Sequence, residues 1–332
     1  MAECRILNNG MKMPLIGMGT FGSDHYTNAQ ITEAVAGGIR AGWRMFDCAS
    51  VYGNEAEIGE VFKAAFDEGV VSRDELFITS KVWNDKHGKG EITASCERSV
   101  KDLKCGAVDI YFVHWPFPNY HAPGCSVDSR SADSRPFFID EFMEVWREME
   151  GLVDKGLARA IGVSNMTIPK LEAFLPQCRI KPAAIELELH PCFAQRELFD
   201  YVMARHIQPI GFCPVGSPAR PERDRMPEDV ADVDTPAVRA VAEKYGIHPV
   251  EVCLRWAITR GAVPIPFSTS PSHYKANLAA ASKPPFNAID MALLENADCD
   301  CRLVKGQVFL WKGASDWRAL WDEDGVINGW DC

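Results

Sequence analysis

No CxxC pair occurs in the chain, although it holds twelve cysteines. They are scattered (Cys4, Cys48, Cys96, Cys105, Cys125, Cys178, Cys192, Cys213, Cys253, Cys299, Cys301 and Cys332), and only Cys299-x-Cys301 forms a close pair. That spacing excludes the usual zinc and disulfide frameworks, so no metal site is expected. Reduced, mostly buried thiols in a cytoplasmic protein are expected instead. Basic residues are in deficit: 35 Lys and Arg against 46 Asp and Glu give a net charge of −11. A nucleic-acid partner, which needs a basic face, is therefore not expected. No apolar run approaches the roughly 20 residues of a membrane span, so no membrane partner is expected. Met1-Ala-Glu-Cys-Arg5 has no basic stretch ahead of an apolar core, and no signal peptide is expected. Linkers rich in Pro, Gly or Ser are also missing. Residues 1–332 are accordingly read as one domain, with 47% hydrophobic residues to build its core.

What is present is an alternation of strand and helix signals. Ile6-Leu7 and Met11-Lys-Met13 flank Asn9-Gly10, so residues 4–13 read as a hairpin with a tight turn. Candidate strands follow at 15–20, 44–48, 76–82, 107–114, 159–164, 183–189, 208–215 and 262–267. They are short and apolar on nearly every residue, as expected for strands covered on both faces. Helical patterns fill the gaps at 28–41, 55–68, 90–103, 140–155, 167–175, 195–205 and 248–259. Thr27-x-x-Gln30 reads as a capping box, and Asn54 with Glu57 resembles one. Eight such units suggest an α/β fold, a (β/α)8 TIM barrel with an N-terminal β-hairpin and extended loops on its C-terminal face. Segments 115–138, 216–234 and 299–332 exceed what a minimal barrel needs. The first two follow strand C-termini and are expected to shape a substrate pocket. The tail, with Trp311, Trp317, Trp321 and Trp330, is expected either to pack on the barrel wall or to reach over the pocket.

Four polar groups lie at or just after the ends of three successive strands. Met45-Phe-Asp47 ends in an aspartate and Tyr52 opens the next loop; Leu76-Phe-Ile-Thr-Ser-Lys81 ends in a lysine and Ile110-Tyr-Phe-Val-His114 in a histidine. In a barrel that end carries catalysis, and Tyr, Lys and His together are equipment for proton transfer to a carbonyl oxygen. A competing motif is Gly17-Met-Gly19-Thr-Phe-Gly22, which matches G-x-G-x-x-G with Asp47 ending the following strand. In the dinucleotide-binding arrangement the third glycine lies inside the opening helix. Here Ser23-Asp-His-Tyr-Thr27 intervenes and the helix cap falls at Thr27, so a pyrophosphate at Gly22 would not meet a helix N-terminus.

Phe46-Asp-x-Ala-x-x-Tyr52-Gly-Asn-Glu55, the lysine of Thr79-Ser-Lys81, His114-Trp115-Pro116, Gly162-Val-Ser-Asn165 and Glu188-Leu-His-Pro191 together resemble the aldo-keto reductase superfamily, in order and at matching spacing over nearly the whole chain. The resemblance implies a (β/α)8 barrel, a nicotinamide dinucleotide, no metal, and reduction of aldehydes or ketones. It implies Tyr52 as proton donor, Lys81 as the ammonium that lowers its pKa from about 10, Asp47 as the group that orients Lys81, and His114 as the group that orients the substrate oxygen. Ser164 and Asn165 would bind the carboxamide, Phe212 would stack on the nicotinamide, Gly19 and Thr20 would lie near the ribose, and Val215 and Ser217 would contact the diphosphate. Phe21, Trp115 and Trp311 would form an aromatic pocket. Glu186 stands where a glutamine usually contacts the carboxamide.

The sequence departs from the family most in Ile265-Pro-Phe-Ser-Thr-Ser-Pro-Ser-His273-Tyr-Lys-Ala-Asn277. Phe267 and His273 replace the usual lysine and arginine that grip the 2′-phosphate of NADPH, Ala276 replaces a glutamate, and Ala219 an aspartate that pairs with the lysine. Without cationic partners a phosphate loses charge-assisted hydrogen bonds worth roughly 1.5–3 kcal/mol each. NAD(H) is therefore expected to serve as well as or better than NADP(H), with Ser268, Lys275 and Asn277 contacting the adenosine end. The expected activity is NAD(P)H-linked reduction of a small polar or sugar-derived carbonyl by a monomer or homodimer. Arginines of the 115–138 loop, Arg130 and Arg135 beside Asp128 and Asp133, are candidate carboxylate contacts in a uronate-like substrate. A sugar or alcohol dehydrogenase running oxidatively, and a cofactor-binding barrel without turnover, are the alternatives.

Overall fold

The computed structural model describes residues 4–22, 25–121, 131–218, 220–221 and 225–323. Asp128, Arg130, Ala219 and Trp330 lie outside the described residues. Strands β1 (Cys4–Ile6) and β2 (Lys12–Pro14) pair antiparallel. Eight further strands, β3 (Met18–Gly19), β4 (Met45–Asp47), β5 (Phe77–Val82), β6 (Val108–Val113), β7 (Ala158–Ser164), β8 (Ala184–Glu188), β9 (Gln208–Phe212) and β10 (Val263–Pro264), form one sheet in sequence order. Every recorded neighbour pair in it is parallel. Its edges meet: Gly17 N donates to Pro264 O and Gly19 N to Pro266 O, each at 3.0 Å. The sheet therefore curls back on itself, in the arrangement expected of a (β/α)8 barrel. The expected strands at 15–20 and 262–267 are both much shorter than the sequence suggested. Pro264 and Pro266 have no N–H to give a ladder, so the seam is held by single bonds to their carbonyls.

Strand periodicity sorts the side chains into two layers. Phe46, Ile78, Tyr111, Val113, Ile161, Val163, Ile185 and Leu187 pack outward with the helices. Met45, Phe77, Ile110, Phe112, Ala160, Ala184 and Ile210 pack inward with one another. Leu7 and Met13 of the hairpin join the inner set. They cover the end where β4 and β5 begin, so the opposite, C-terminal end is left for polar residues. The hairpin turn forms around Asn9-Gly10 as expected. Leu7 N donates to Met11 O and Gly10 N to Leu7 O, and of the turn only Gly10 has a positive φ, 85°. The loop is thus Asn8-Asn9-Gly10, with one left-handed position that glycine fills without strain.

The helices α1 (Asn28–Ala41), α2 (Glu55–Asp67), α3 (Glu91–Asp102), α4 (Ile139–Asp154), α5 (Ile168–Phe174), α6 (Arg196–Met203) and α8 (Pro249–Arg260) match the sequence pattern closely. The Thr27–Gln30 capping box forms as expected. The Asn54–Glu57 box does not: the Asn54 amide donates to Thr20 O at 2.9 Å, and Glu57 accepts from Asn28 instead. Three helices were not expected: α7 (Pro236–Tyr245), α9 (Pro271–Ala280) and α10 (Ala288–Leu294). Two of them begin with proline at their first position, a start signal with few strongly apolar residues behind it.

The tail returns across the C-terminal end of the sheet. Leu303 N and Val304 N donate to the Glu188 carboxylate at 2.7 and 2.9 Å. His190 bridges that carboxylate, at 3.0 Å from Nε2, to Asp232, at 3.0 Å from Nδ1. Burial alone would lower the His190 pKa, but the hydrogen bonds to Asp232 and Glu188 outweigh it and push it up to about 9. A folded pKa above the unfolded value gives stability that is fully present below about pH 6.5 and is lost as pH rises through the folded value. The cluster is expected to contribute on the order of 3 kcal/mol at neutral pH. Thermal melts at neutral pH and near pH 10 check this. The native protein is expected to lose stability across that interval, and His190→Gln to start lower and lose much less.

Candidate active site

Because the inward residues of each strand alternate, the last inward position of β4, β5 and β7 falls on Asp47, Lys81 and Ser164, Glu186 is an inward position of β8, and His114 lies one step beyond β6 on the same face. Lys81 is 1% exposed. Its Nζ donates to Asp47 Oδ1 and Oδ2, both at 2.7 Å, and to Cys48 O at 2.9 Å. Thr79 Oγ1 donates to Asp47 Oδ1 at 2.7 Å, and Thr20 Oγ1 to Asp47 O at 2.8 Å. Glu186 Oε2 lies 3.3 Å from Lys81 Nζ. Burial opposes charge on Lys81, yet Asp47, Glu186 and Tyr52 outweigh it and hold the amine protonated well above the ordinary lysine range.

Tyr52 ends a short 3-10 turn (Ser50–Tyr52) that Gly53 closes at φ 65°. Lys81 Nζ is 5.3 Å from its ring centroid, and the His114 ring is 6.0 Å away, edge-on. The three groups singled out in the sequence therefore surround one point. The Tyr52 pKa, however, is not lowered. Burial pushes it above the tyrosine range; Lys81 pulls it down, as expected, but Asp47 and Glu186 add to burial. The expectation weighed the ammonium without its two carboxyl neighbours. His114 is pushed well below the usual histidine range by burial and by Lys81, so its imidazole is neutral.

Several buried polar atoms here have no protein partner: His114 Nδ1, Asn165 Oδ1 and Glu186 Oε1. Asn165 takes a left-handed φ of 56°, its Nδ2 donates to His114 O at 2.9 Å and to Ser164 Oγ at 3.1 Å, and its backbone N donates to Glu186 O at 3.1 Å. Asn165 Oδ1 and Glu186 Oε1 are two bare acceptors held beside one another's strands. An amide NH2 has the two hydrogens that such acceptors require, so this wall fits the carboxamide of a nicotinamide. Phe212 ends β9 and packs against the inner cluster.

Gly19 faces Ile265 O and Phe267, which leaves no room there for a side chain: a Cβ would sit 3.2 Å from that carbonyl. Phe267 meets Tyr26 edge-on at 5.8 Å, and the Ser268 hydroxyl accepts from Ser270 N at 3.2 Å. His273 and Asn277 lie one turn apart on α9, the first exposed and the second buried. The turn after β9 is contorted, with positive φ at Cys213, Gly216 and Ser217, while Val215 packs on the outer core. Val215 and Ser217 thus flank that turn.

Phe21 lies against Tyr52, at 5.1 Å between centroids. Trp115 packs with Phe117, Phe309 and Trp321 under the tail, at 5.8, 4.6 and 5.6 Å. Trp311 lines a small void with Phe117, Phe137 and Lys170. Trp83 was missed. Its ring is 5.0 Å from His114 and 5.8 Å from Phe309, so it links the site to the tail. Its position two residues after Lys81 was a usable signal; that of Phe309, in an irregular tail, was not. Arg135 pairs with Glu141 at 3.0 Å. Among the described residues no three metal-ligating side chains converge, and no helix is long and apolar enough to cross a membrane.

A family model described as the aldo/keto reductase family matches residues 15–298. The chain is 38% identical over 279 residues to aldo-keto reductase family 1 member A1 of Bos taurus, covering 83% of this chain and 84% of that protein. The corresponding Homo sapiens protein is 37% identical with the same coverage. An aldose reductase of Encephalitozoon cuniculi is 39% identical over 289 residues, covering 86% of this chain and 91% of that protein.

The Asp47–Lys81 contact is a buried pair, and removing one partner strands the other. Lys81→Met is expected to cost about 3–5 kcal/mol of unfolding free energy, and Lys81→Met with Asp47→Asn to recover part of it. Urea unfolding of the three proteins checks this; equal stability of the single and double variants would contradict it.

Proposed function

The chain belongs to the aldo/keto reductase family and is an NAD(P)-dependent oxidoreductase, and on that premise we propose that it reduces a small polar, sugar-derived aldehyde or ketone with Tyr52 as proton donor. The observation that carries this reading is the meeting of the Tyr52 ring, the Lys81 ammonium and the His114 imidazole around one point. A bound nicotinamide supplies the hydride when it is present. Asn165 and Glu186, with Ser164 behind them, hold its carboxamide, and Phe212 offers a ring face to it. The (β/α)8 barrel supplies the frame, with the cofactor lying over its C-terminal end.

Neutral His114 orients the carbonyl oxygen. Charge develops on that oxygen as the carbon is reduced, and Tyr52 then gives up its phenolic proton. A phenol held above its usual pKa keeps that proton until a stronger base, the alkoxide, forms beside it. Lys81 then stabilises the resulting phenolate, and Asp47 keeps Lys81 charged and aimed. Phe21, Trp83 and Phe309 exclude water around the reacting carbon. The aldose reductase name of the Encephalitozoon relative is in keeping with a sugar-derived carbonyl. A cytoplasmic location and a monomeric or dimeric state complete the proposal.

Phe267 and His273 place no lysine or arginine where a 2′-phosphate would need one. Weak preference for NADP is part of the proposal for that reason. NADH oxidation with glyceraldehyde tests the reaction: Tyr52→Phe is expected to lower kcat by about 10²–10⁴ with cofactor affinity retained. Undiminished turnover would remove Tyr52 from the role. Measuring KM for both cofactors tests the second point. Comparable values are expected, and Phe267→Lys with His273→Arg should lower KM for NADPH alone. A native KM for NADPH about tenfold below that for NADH, a difference of some 1.4 kcal/mol, would contradict the weak preference.

A further inference from the structure

Two carboxyl groups share one ammonium at the top of β4, β5 and β8, and their hydrogen bonding is unequal. Asp47 is saturated, with donors at 2.7 Å from Lys81 on both oxygens and a third from Thr79. Glu186, 2% exposed, has one contact with Lys81 at 3.3 Å, and its Oε1 is buried without a partner. The titratable groups facing it are Asp47 from β4, Lys81 from β5, Tyr52 from the turn after β4, and His114 from the end of β6. Its flanking strands add none at this end: β7 ends in Ser164, with Asn165 following, and β9 reads Gln-Pro-Ile-Gly-Phe.

Charge balance in this enclosed space is simple. Lys81 is a cation, His114 is neutral and Tyr52 is a phenol. Two ionised carboxylates would leave a net negative charge with no water to screen it, and neighbouring carboxyl groups avoid this by retaining one proton. Asp47 already accepts three donated hydrogen bonds, whereas Glu186 has a bare oxygen, so the retained proton belongs to Glu186. The direction of its shift agrees: burial and the adjacent Asp47 raise it well above the carboxyl range, against the pull of Lys81.

We propose that Glu186 is a positioning residue that keeps this proton while the site is empty or holds the reduced cofactor, and releases it when the positively charged, oxidised nicotinamide binds. This deepens the function proposed above and rests on it. The step is an acid dissociation: the Glu186 carboxyl O–H bond breaks, the proton passes to solvent, and the carboxylate faces the nicotinamide cation. Protonated Glu186 offers one donor and one acceptor, as a glutamine side chain does, so it still holds a carboxamide. Ionised, it adds an attraction for the oxidised ring that glutamine lacks. The oxidised cofactor is then bound more tightly as pH rises, and its departure after carbonyl reduction slows.

Titration calorimetry of the whole protein with the oxidised and the reduced form of one cofactor tests this. Each titration is run in two buffers of different ionisation enthalpy. Native protein is expected to release about half a proton or more per oxidised cofactor near neutral pH and close to none per reduced cofactor. Its affinity for the oxidised form should rise roughly tenfold between about pH 7 and about pH 9, a change of some 1.4 kcal/mol. Glu186→Gln should bind both forms with neither proton release nor that pH trend. The contrast between the two forms in native protein stands as a test even if the variant does not fold. Binding of both forms with equal proton release, or release that persists in Glu186→Gln, would overturn the role of Glu186 alone. Failure of native protein to bind either form would overturn the proposed function with it.

Discussion

A single ammonium, that of Lys81, sets the terms for everything around it. It sits where water cannot reach it, and a buried charge is tolerated only when paired and hydrogen-bonded. Asp47 and the Cys48 carbonyl supply those bonds. Meeting that requirement fixes the ends of β4 and β5 relative to each other, because the donor and acceptor come from adjacent strands whose register pairs Asp47 with Thr79. Tyr52 is carried on the turn that leaves β4, so its ring is placed by the same constraint. Burial keeps His114 neutral, and the amine's charge adds to it. One buried cation thus fixes the positions of its neighbours, while burial and the nearby carboxyl groups set their protonation against its pull.

Much of this was legible in the sequence because strands of a parallel sheet have a strict period of two. Once Phe46, Ile78, Tyr111 and Val113 are read as outward, Asp47, Lys81 and His114 must point inward, and the end of the sheet on which they fall follows from chain direction. The eight strands were legible for a related reason: short apolar runs covered on both faces stand out against amphipathic helices. Helices α7 and α9 were not legible, since a proline start followed by alanine and polar residues carries little periodic signal. The hairpin was legible, since Asn9-Gly10 between two short apolar runs marks a tight turn, and Cys4 pairs with Pro14.

The tail shows the other limit. Tryptophans in an irregular segment say that something is covered, not what. Trp115, one residue after His114, packs with the tail's Phe309 and Trp321. Phe309 also meets Trp83, and it arrives there by a path from residue 301 to residue 321 that no local pattern encodes. That path is held at its start by the Glu188–His190–Asp232 cluster and at its end by Lys170, whose Nζ lies 2.6 Å from Asp322 Oδ2. Both anchors are buried polar groups contributed by distant segments. Their pairing becomes visible only when the chain has been folded.

Tyr52 illustrates why a charge near a buried phenol cannot be weighed alone. The ammonium favours the phenolate, but Asp47 and Glu186 oppose it and burial penalises it. A site with glutamine at position 186 would lack one of those opposing groups whenever that group is ionised. With Glu186 protonated, the two situations are electrostatically close, and Lys81 answers to Asp47 alone. With Glu186 ionised, Lys81 is shared, and its support for the phenolate weakens while attraction for a cationic ring grows. On the function proposed for Tyr52 and Glu186, proton donation and retention of the oxidised cofactor are opposed functions of one carboxyl group. The balance between them is set by the same burial that keeps the inner ring dry, which ties the chemistry of the site back to the closure of the sheet around it.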